Sequence, residues 1–357
     1  MLRMGAAFLL LTLMLGAARP ALAQTGATPP WQAAETLRNA LFSAQAALLA
    51  DDSPAAQAAV TQASAQASAD FASEPQVSAA LQPALTAAQT AAAAADAPAL
   101  ALARGQAWSA LMSAAMQQAI QTAADGQADA ARAWLLVRDY RSATRFTRPN
   151  ANATLALAQL EQGTLPPAEA AGALRSDLLD GYQTRLDETL NELKGTSDAE
   201  RSLRRAEAAG LAGGYWSMLA PAYAEQNGAA ARASIDAAFD RLQAAARQPQ
   251  DGASAAQIAD EIESALQNFR AAPLSPAEQA RRASQLLRFI DLVAVEYGRG
   301  VKNGQVFSTL EVQEAATFMD GARTAFSDLR LPLNELDAPA AEQAAALLRA
   351  LETDVQA

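Results

Sequence analysis

Apolar residues recur along this chain at helical spacing. In 31–49, Leu37, Leu41, Ala44 and Leu48 fall three or four positions apart, so one side of a helix is apolar and the other polar. Trp108, Leu111, Met112, Ala115 and Ala119 make a second stripe over 105–123, and Ile235, Phe239 and Leu242 a third over 229–246. Between these, 130–140, 151–162 and 167–193 also read as helices. Asp125-Gly126 marks a turn, 142–149 is a polar connection, and 195–198 and 210–214 read as breaks. The stretch 51–103 is low in complexity and rich in Ala, Gln and Ser. Pro54, Pro75, Pro83 and Pro98 are expected to cut it into short helices or a partly mobile region. With few β-branched residues and no period-two run, nothing predicts a strand.

The sharpest start signals lie near the C-terminus. Ser275-Pro276-Ala277-Glu278 combines an N-cap serine, a proline at the first helical position and a glutamate at the third. The helix that follows carries Leu286, Phe289, Ile290, Val293 and Tyr297 and stops at Gly298 and Gly300. Asn303-Gly304 turns the chain. Ser308-Thr309-Leu310-Glu311 opens a second helix, with Ala315, Phe318, Ala322, Ala325 and Leu329, that should end before Pro332. So short a connection predicts an antiparallel hairpin. The reading is therefore all-α: elongated, alanine-rich antiparallel bundles in two helical subdomains. Residues 24–247 would form the first, 248–253 (QPQDGA) a linker, and 254–357 a C-terminal hairpin domain.

Composition narrows the function. Half the chain is hydrophobic (51%), but much of that is alanine and only 5% is aromatic. Alanine favours helix yet buries little area, so the helices must approach closely. The net charge of −11 disfavours nucleic acid and favours cations or a cationic surface. Without cysteine or histidine there is no thiol catalysis, no usual zinc site and no Ser-His-Asp triad, and no enzymatic role is expected. Oxygen ligands remain, which suit hard cations. At the N-terminus, Arg3, the apolar stretch 6–15 and Ala21-Leu22-Ala23 form a secretory signal over 1–23. The mature chain would then start at Gln24 and work in the periplasm or another extracytoplasmic space, with no membrane span of its own.

Two constellations could carry chemistry. Glu296 shares the inward stripe of its helix, and Glu311 and Glu314 begin the next, so antiparallel packing brings three carboxylates and the Tyr297 phenol to one end of the hairpin. Clustered carboxylates repel unless a cation intervenes. The alternative needs no metal: Glu311 caps its helix and Glu296 pairs with Arg299 or Lys302. The second constellation is Arg138, Arg141, Arg145 and Arg148, which could bind an anion such as citrate, phosphate or a lipid head group. Its alternative is an internal salt-bridge network with acids such as Asp177 and Asp180. Tyr215, Trp216 and Tyr223 read as core or interface aromatics.

Three stretches carry a family resemblance. They are Trp134-Leu-Leu-Val-Arg-Asp-Tyr-Arg-Ser-Ala-Thr-Arg-Phe-Thr-Arg-Pro149, Asp177-Leu-Leu-Asp-Gly-Tyr-Gln-Thr-Arg-Leu186, and 287–304 (Leu-Arg-Phe-Ile-Asp-Leu-Val-Ala-Val-Glu-Tyr-Gly-Arg-Gly-Val-Lys-Asn-Gly). Together they resemble the extracytoplasmic N-terminal region of bacterial high-affinity iron permeases of the FTR1 type. That resemblance implies iron capture, or docking to an inner-membrane iron permease, with ferric or ferrous iron as the ion handled. The membrane permease domain and its Arg-Glu-x-x-Glu motifs have no counterpart here, since Glu311-Val312-Gln313-Glu314 lacks the arginine. Transport by this polypeptide alone is not expected. Set against this reading is a metal-free helical scaffold that binds an envelope or membrane protein.

Overall fold

The computed structural model describes residues 28–139, 152–196, 198, 201–248 and 250–356. The expected signal sequence therefore lies outside the described residues, as do Arg141, Arg145 and Arg148. The protein is all-α. In chain order the helices are α1 (Pro30–Leu49), α2 (Ser53–Asp70), α3 (Pro75–Ala93), α4 (Ala97–Ala124), α5 (Ala128–Leu135), α6 (Asn152–Glu161) and α7 (Pro167–Lys194). Then come α8 (Ser202–Asn227), α9 (Ala229–Ala246), α10 (Gly252–Leu266), α11 (Pro276–Gly300) and α12 (Thr309–Gln356). Two-residue strands β1 (Val301–Lys302) and β2 (Gln305–Val306) pair antiparallel between α11 and α12.

The low-complexity stretch is divided just before Pro54, Pro75 and Pro98, as expected, but into long regular helices. Pro54, Pro75 and Pro98 sit at the first or second helical position, where the missing N–H costs nothing. Asp52 and Asp96 accept hydrogen bonds from the N–H groups of Ala55 and Ala99 at 3.0 and 2.9 Å, so the prolines mark helix starts. Of these four prolines only Pro83 lies in a helix interior.

The break expected at 210–214 is absent: these glycines lie inside α8, Gly210 and Gly214 against α4 and Gly213 against Gln243 of α9. A Cβ on Gly210 would come within 2.4 Å of the Leu102 carbonyl oxygen, and one on Gly105 within 2.3 Å of the Glu207 oxygen. The glycines are there because two backbones touch, which lets an alanine-lined seam close.

Helix α4 packs on α1, α3, α5, α7 and α8, and the large core around it includes Leu111, Met112, Leu174, Tyr182, Tyr215 and Leu219. Within the expected linker the Asp251 N–H donates to the Gln248 carbonyl at 3.1 Å, and α10 already begins at Gly252. Helix α10 folds back on α7 and α9, so Ala255, Ala259 and Ile262 join this same core. A second, smaller core begins with α11. Helix α12 runs through Pro332, where an end was expected, and reverses at Asp337, whose φ of −159° and ψ of 91° are not helical. Its two arms lie antiparallel, with Arg330 reaching Glu342 at 3.4 Å. Val355 of the second arm completes a core with Val293, Ala315, Met319 and Ala322.

Candidate metal site at the hairpin tip

Local sequence builds this site. Ser275 Oγ accepts the Glu278 N–H at 3.3 Å and starts α11 as expected. Its Glu278 partner does not complete a capping box, because that carboxylate instead takes bonds from Arg281 and Arg282. At the far end, Asn303 and Gly304 adopt φ of 53° and 72°, the left-handed pair of a two-residue hairpin turn. Gly300 lies so near α12 that a Cβ would fall 2.8 Å from Val312 Cγ2. Ser308 Oγ then accepts the Glu311 N–H at 3.4 Å to open α12. The last turn of α11 and the first turn of α12 are thereby held side by side.

Glu296, Glu311 and Glu314 meet there. One oxygen from each lies within 4.8 Å of the others. Among the described residues this is the one place where three such side chains could share an ion. Glu296 is buried (7% exposed), Glu311 half-buried and Glu314 exposed. Arg299 Nη1 donates to both Glu296 oxygens at 3.0 Å, the internal pairing that the metal-free alternative anticipated. One guanidinium faces three carboxylates, and Glu311 records the imbalance. A hydrogen bond with the Glu296 carboxyl, then burial and the charges of Glu296 and Glu314, hold its carboxyl above the usual glutamate range, with Arg299 opposing. Tyr297 points elsewhere, donating to the Asp354 carbonyl at 3.3 Å. The arrangement can hold a hard cation through oxygen.

The arginine constellation is visible only through Arg138. Its side chain is almost wholly buried, and Nη1 reaches Asp177 Oδ2 at 3.4 Å. Neighbouring Asp139 accepts the Tyr215 hydroxyl at 2.5 Å. Among the described residues, Asp180 is bonded by Arg270 and Arg282, together with Asp328, in a buried cluster that tertiary packing alone assembles. Tyr215, Trp216 and Tyr223 are core residues.

The model of the iron permease FTR1 N-terminal domain matches residues 27–265, and that of the iron permease-associated 4-helix bundle domain matches 273–357. The chain belongs to the FTR1 iron permease family. Among the described residues of this FTR1-family chain no helix is long and apolar enough to cross a membrane. No curated protein and no solved structure matches it significantly. The carboxylate cluster falls in the bundle domain, and the two family segments meet at the buried Asp180–Arg270–Arg282–Asp328 cluster.

Proposed function

We propose that this chain is an extracytoplasmic component of an iron-uptake system. It takes up iron as cargo at Glu296, Glu311 and Glu314 and docks to an inner-membrane iron permease, without catalysis of its own. Residues 1–23 would direct its export to the periplasm. The observation that carries the reading is the cluster itself: three carboxylates converge on one point with a single guanidinium in contact, in a chain whose family handles iron. Such an excess of negative charge is relieved by a cation of high charge density. Tyr297 lies beside Glu296 in sequence, but its hydroxyl is engaged by Asp354. It would reach the ion only after giving up that bond.

The Arg299–Glu296 pair supports the second reading, a metal-free scaffold. Thermal unfolding with ferric citrate, ferrous iron, calcium or no metal separates the two. A ligand that binds only the folded state at a hundred times its Kd adds about 2.7 kcal/mol. Iron is expected to raise the midpoint, and both Glu296→Gln and Glu311→Gln to abolish the rise. Arg299→Gln is expected to enlarge it by removing a competing cation. A midpoint unmoved by every metal would leave the scaffold reading standing.

A further inference from the structure

A cleft of about 390 Å³ lies where the two family segments meet, with α7 and α10 on one side and both arms of α12 on the other. Ligand sites favour such junctions. Most of the charges on its walls are already paired. Lys194 Nζ lies 2.6 Å from Glu263, Arg185 takes Glu188, and Arg270 and Arg282 hold Asp328. Arg330 and Arg349 both reach Glu342 at 3.4 Å. Asp187 and Arg323 are left short. The Asp187 carboxylate accepts the Ser327 hydroxyl at 3.3 Å, and no other hydrogen bond or ion pair reaches it among the described residues. Arg323 Nε is buried without a hydrogen-bond partner, and Glu352 Oε1 stands 4.0 Å from it. An acid and a base share one cleft, each wanting a counter-charge and too far apart to serve one another. A buried donor left in that state points to a missing acceptor.

We propose that this cleft binds a small zwitterion, an α-amino acid with an aliphatic side chain. Its ammonium meets Asp187, its carboxylate meets Arg323, and its side chain lies against Met319, Ala345 and Leu348, which line the same space. A guanidinium takes a carboxylate through paired hydrogen bonds. Charge selects among occupants. A bare metal ion fits poorly, because among the described residues only the hairpin tip brings three carboxylate oxygens within 4.8 Å of one another. An organic cation would leave Arg323 unmet, and an organic anion would face Asp187 and Glu352. Burial, then the charges of Glu263 and Asp328, hold the Asp187 carboxyl up to about 7, against Ser327 and Arg323. An arriving ammonium favours its charged form, so binding at neutral pH releases a proton. The inference is independent of the carboxylates at the hairpin tip.

The test is isothermal titration calorimetry of the full chain in EDTA, so that its outcome does not depend on iron. Three related probes are compared: L-leucine, L-leucinamide, which lacks the carboxylate, and N-acetyl-L-leucine, which lacks the ammonium. One leucine per chain is expected, bound at least tenfold tighter than either of the others. Asp187→Asn should weaken leucine at least tenfold and remove the proton release, read as the difference in heat between phosphate and Tris buffers at pH 7. Arg323→Gln should bring leucine down to the affinity of leucinamide yet keep the proton release. Thermal melts check that both variants are folded, and Glu311→Gln, at the hairpin tip, should leave binding unchanged. No saturable binding of leucine overturns the proposal, as does equal binding of all three probes or undiminished binding in either cleft variant. Tighter binding of leucinamide would make the cleft an organic-cation site, and tighter binding of the N-acetyl compound an anion site; either result also overturns it.

Discussion

Two charge clusters in this protein invite comparison, one between the two family segments and one at the hairpin tip. In the first, Asp180 of α7 and Asp328 of α12 face Arg270 and Arg282. Arg282 bonds both aspartates and Glu278, and Arg270 bonds both aspartates. All four central side chains are at most 8% exposed, and their charges cancel. In the second, Glu296, Glu311 and Glu314 share one arginine, and two of the three reach solvent. A cluster complete in itself reads as a joint. One left negative by its own residues reads as a place where something else binds. Burial and proximity alone would not separate them; the charge balance does.

The largest way to break this contrast is to unbalance the joint. Arg282→Met removes one of the two arginines that Asp180 and Asp328 share among the described residues, in a buried setting. Losing one partner of such a cluster costs about 3–5 kcal/mol. Urea denaturation should show that loss, and a change below about 1 kcal/mol would mean that water already screens the cluster. Because the joint spans α7, α11 and α12, hydrogen exchange should report faster opening of α11 than of α4.

A smaller test lies beside the joint. Asp187 lines a cleft of about 390 Å³ between α7, α10 and α12, with Glu188, Lys194, Glu263, Arg323 and Glu352 on the same walls. Ser327 donates to it at 3.3 Å, but no salt bridge neutralises it among the described residues. Burial, then the charges of Glu263 and Asp328, push its carboxyl up from 3.8 to about 7. A carboxyl raised in the folded state contributes its stability below pH 3.8 and loses it as pH rises through 7. Asp187→Asn is therefore expected to stabilise the protein above pH 7 by on the order of 1–2 kcal/mol. The gain should vanish near pH 4. An equal gain at both pH values would assign the effect to packing instead of charge.

The sequence foretold the tip better than the joint, and the reason is physical. The tip is local: two N-cap serines, an Asn-Gly turn and helical spacing place Glu296, Glu311 and Glu314 together without knowledge of the rest of the fold. In the joint, Asp180 and Arg282 are 102 positions apart, and no periodicity links them. The same limit explains the glycines of α8. Gly210 resembles a helix break until the backbone of α4 is seen passing 2.4 Å from where its Cβ would stand. Helix faces were legible where side chains are large, as with Ile235, Phe239 and Leu242 of α9, all buried. The cleft that Asp187 and Arg323 line was not, because it forms only where α7, α10 and α12 meet.

The smallest effect gives the sharpest test of the tip. Glu311 is held protonated to higher pH than an ordinary glutamate, chiefly by its hydrogen bond with Glu296. Its contribution to stability is complete below the unfolded value of 4.5 and is lost as pH rises through the folded value above it. Without metal, Glu311→Gln should therefore raise the midpoint slightly at neutral pH and leave it unchanged below pH 4. With iron the sign should invert. The wild-type carboxylate gains a cation that glutamine holds poorly, and because protons compete for the same oxygen, that advantage should fade as the solution is acidified. Thermal melts of both proteins at pH 4, 5.5 and 7, with and without iron, cover the six conditions needed. An inversion that persists undiminished at pH 4 would place the iron somewhere other than these three carboxylates.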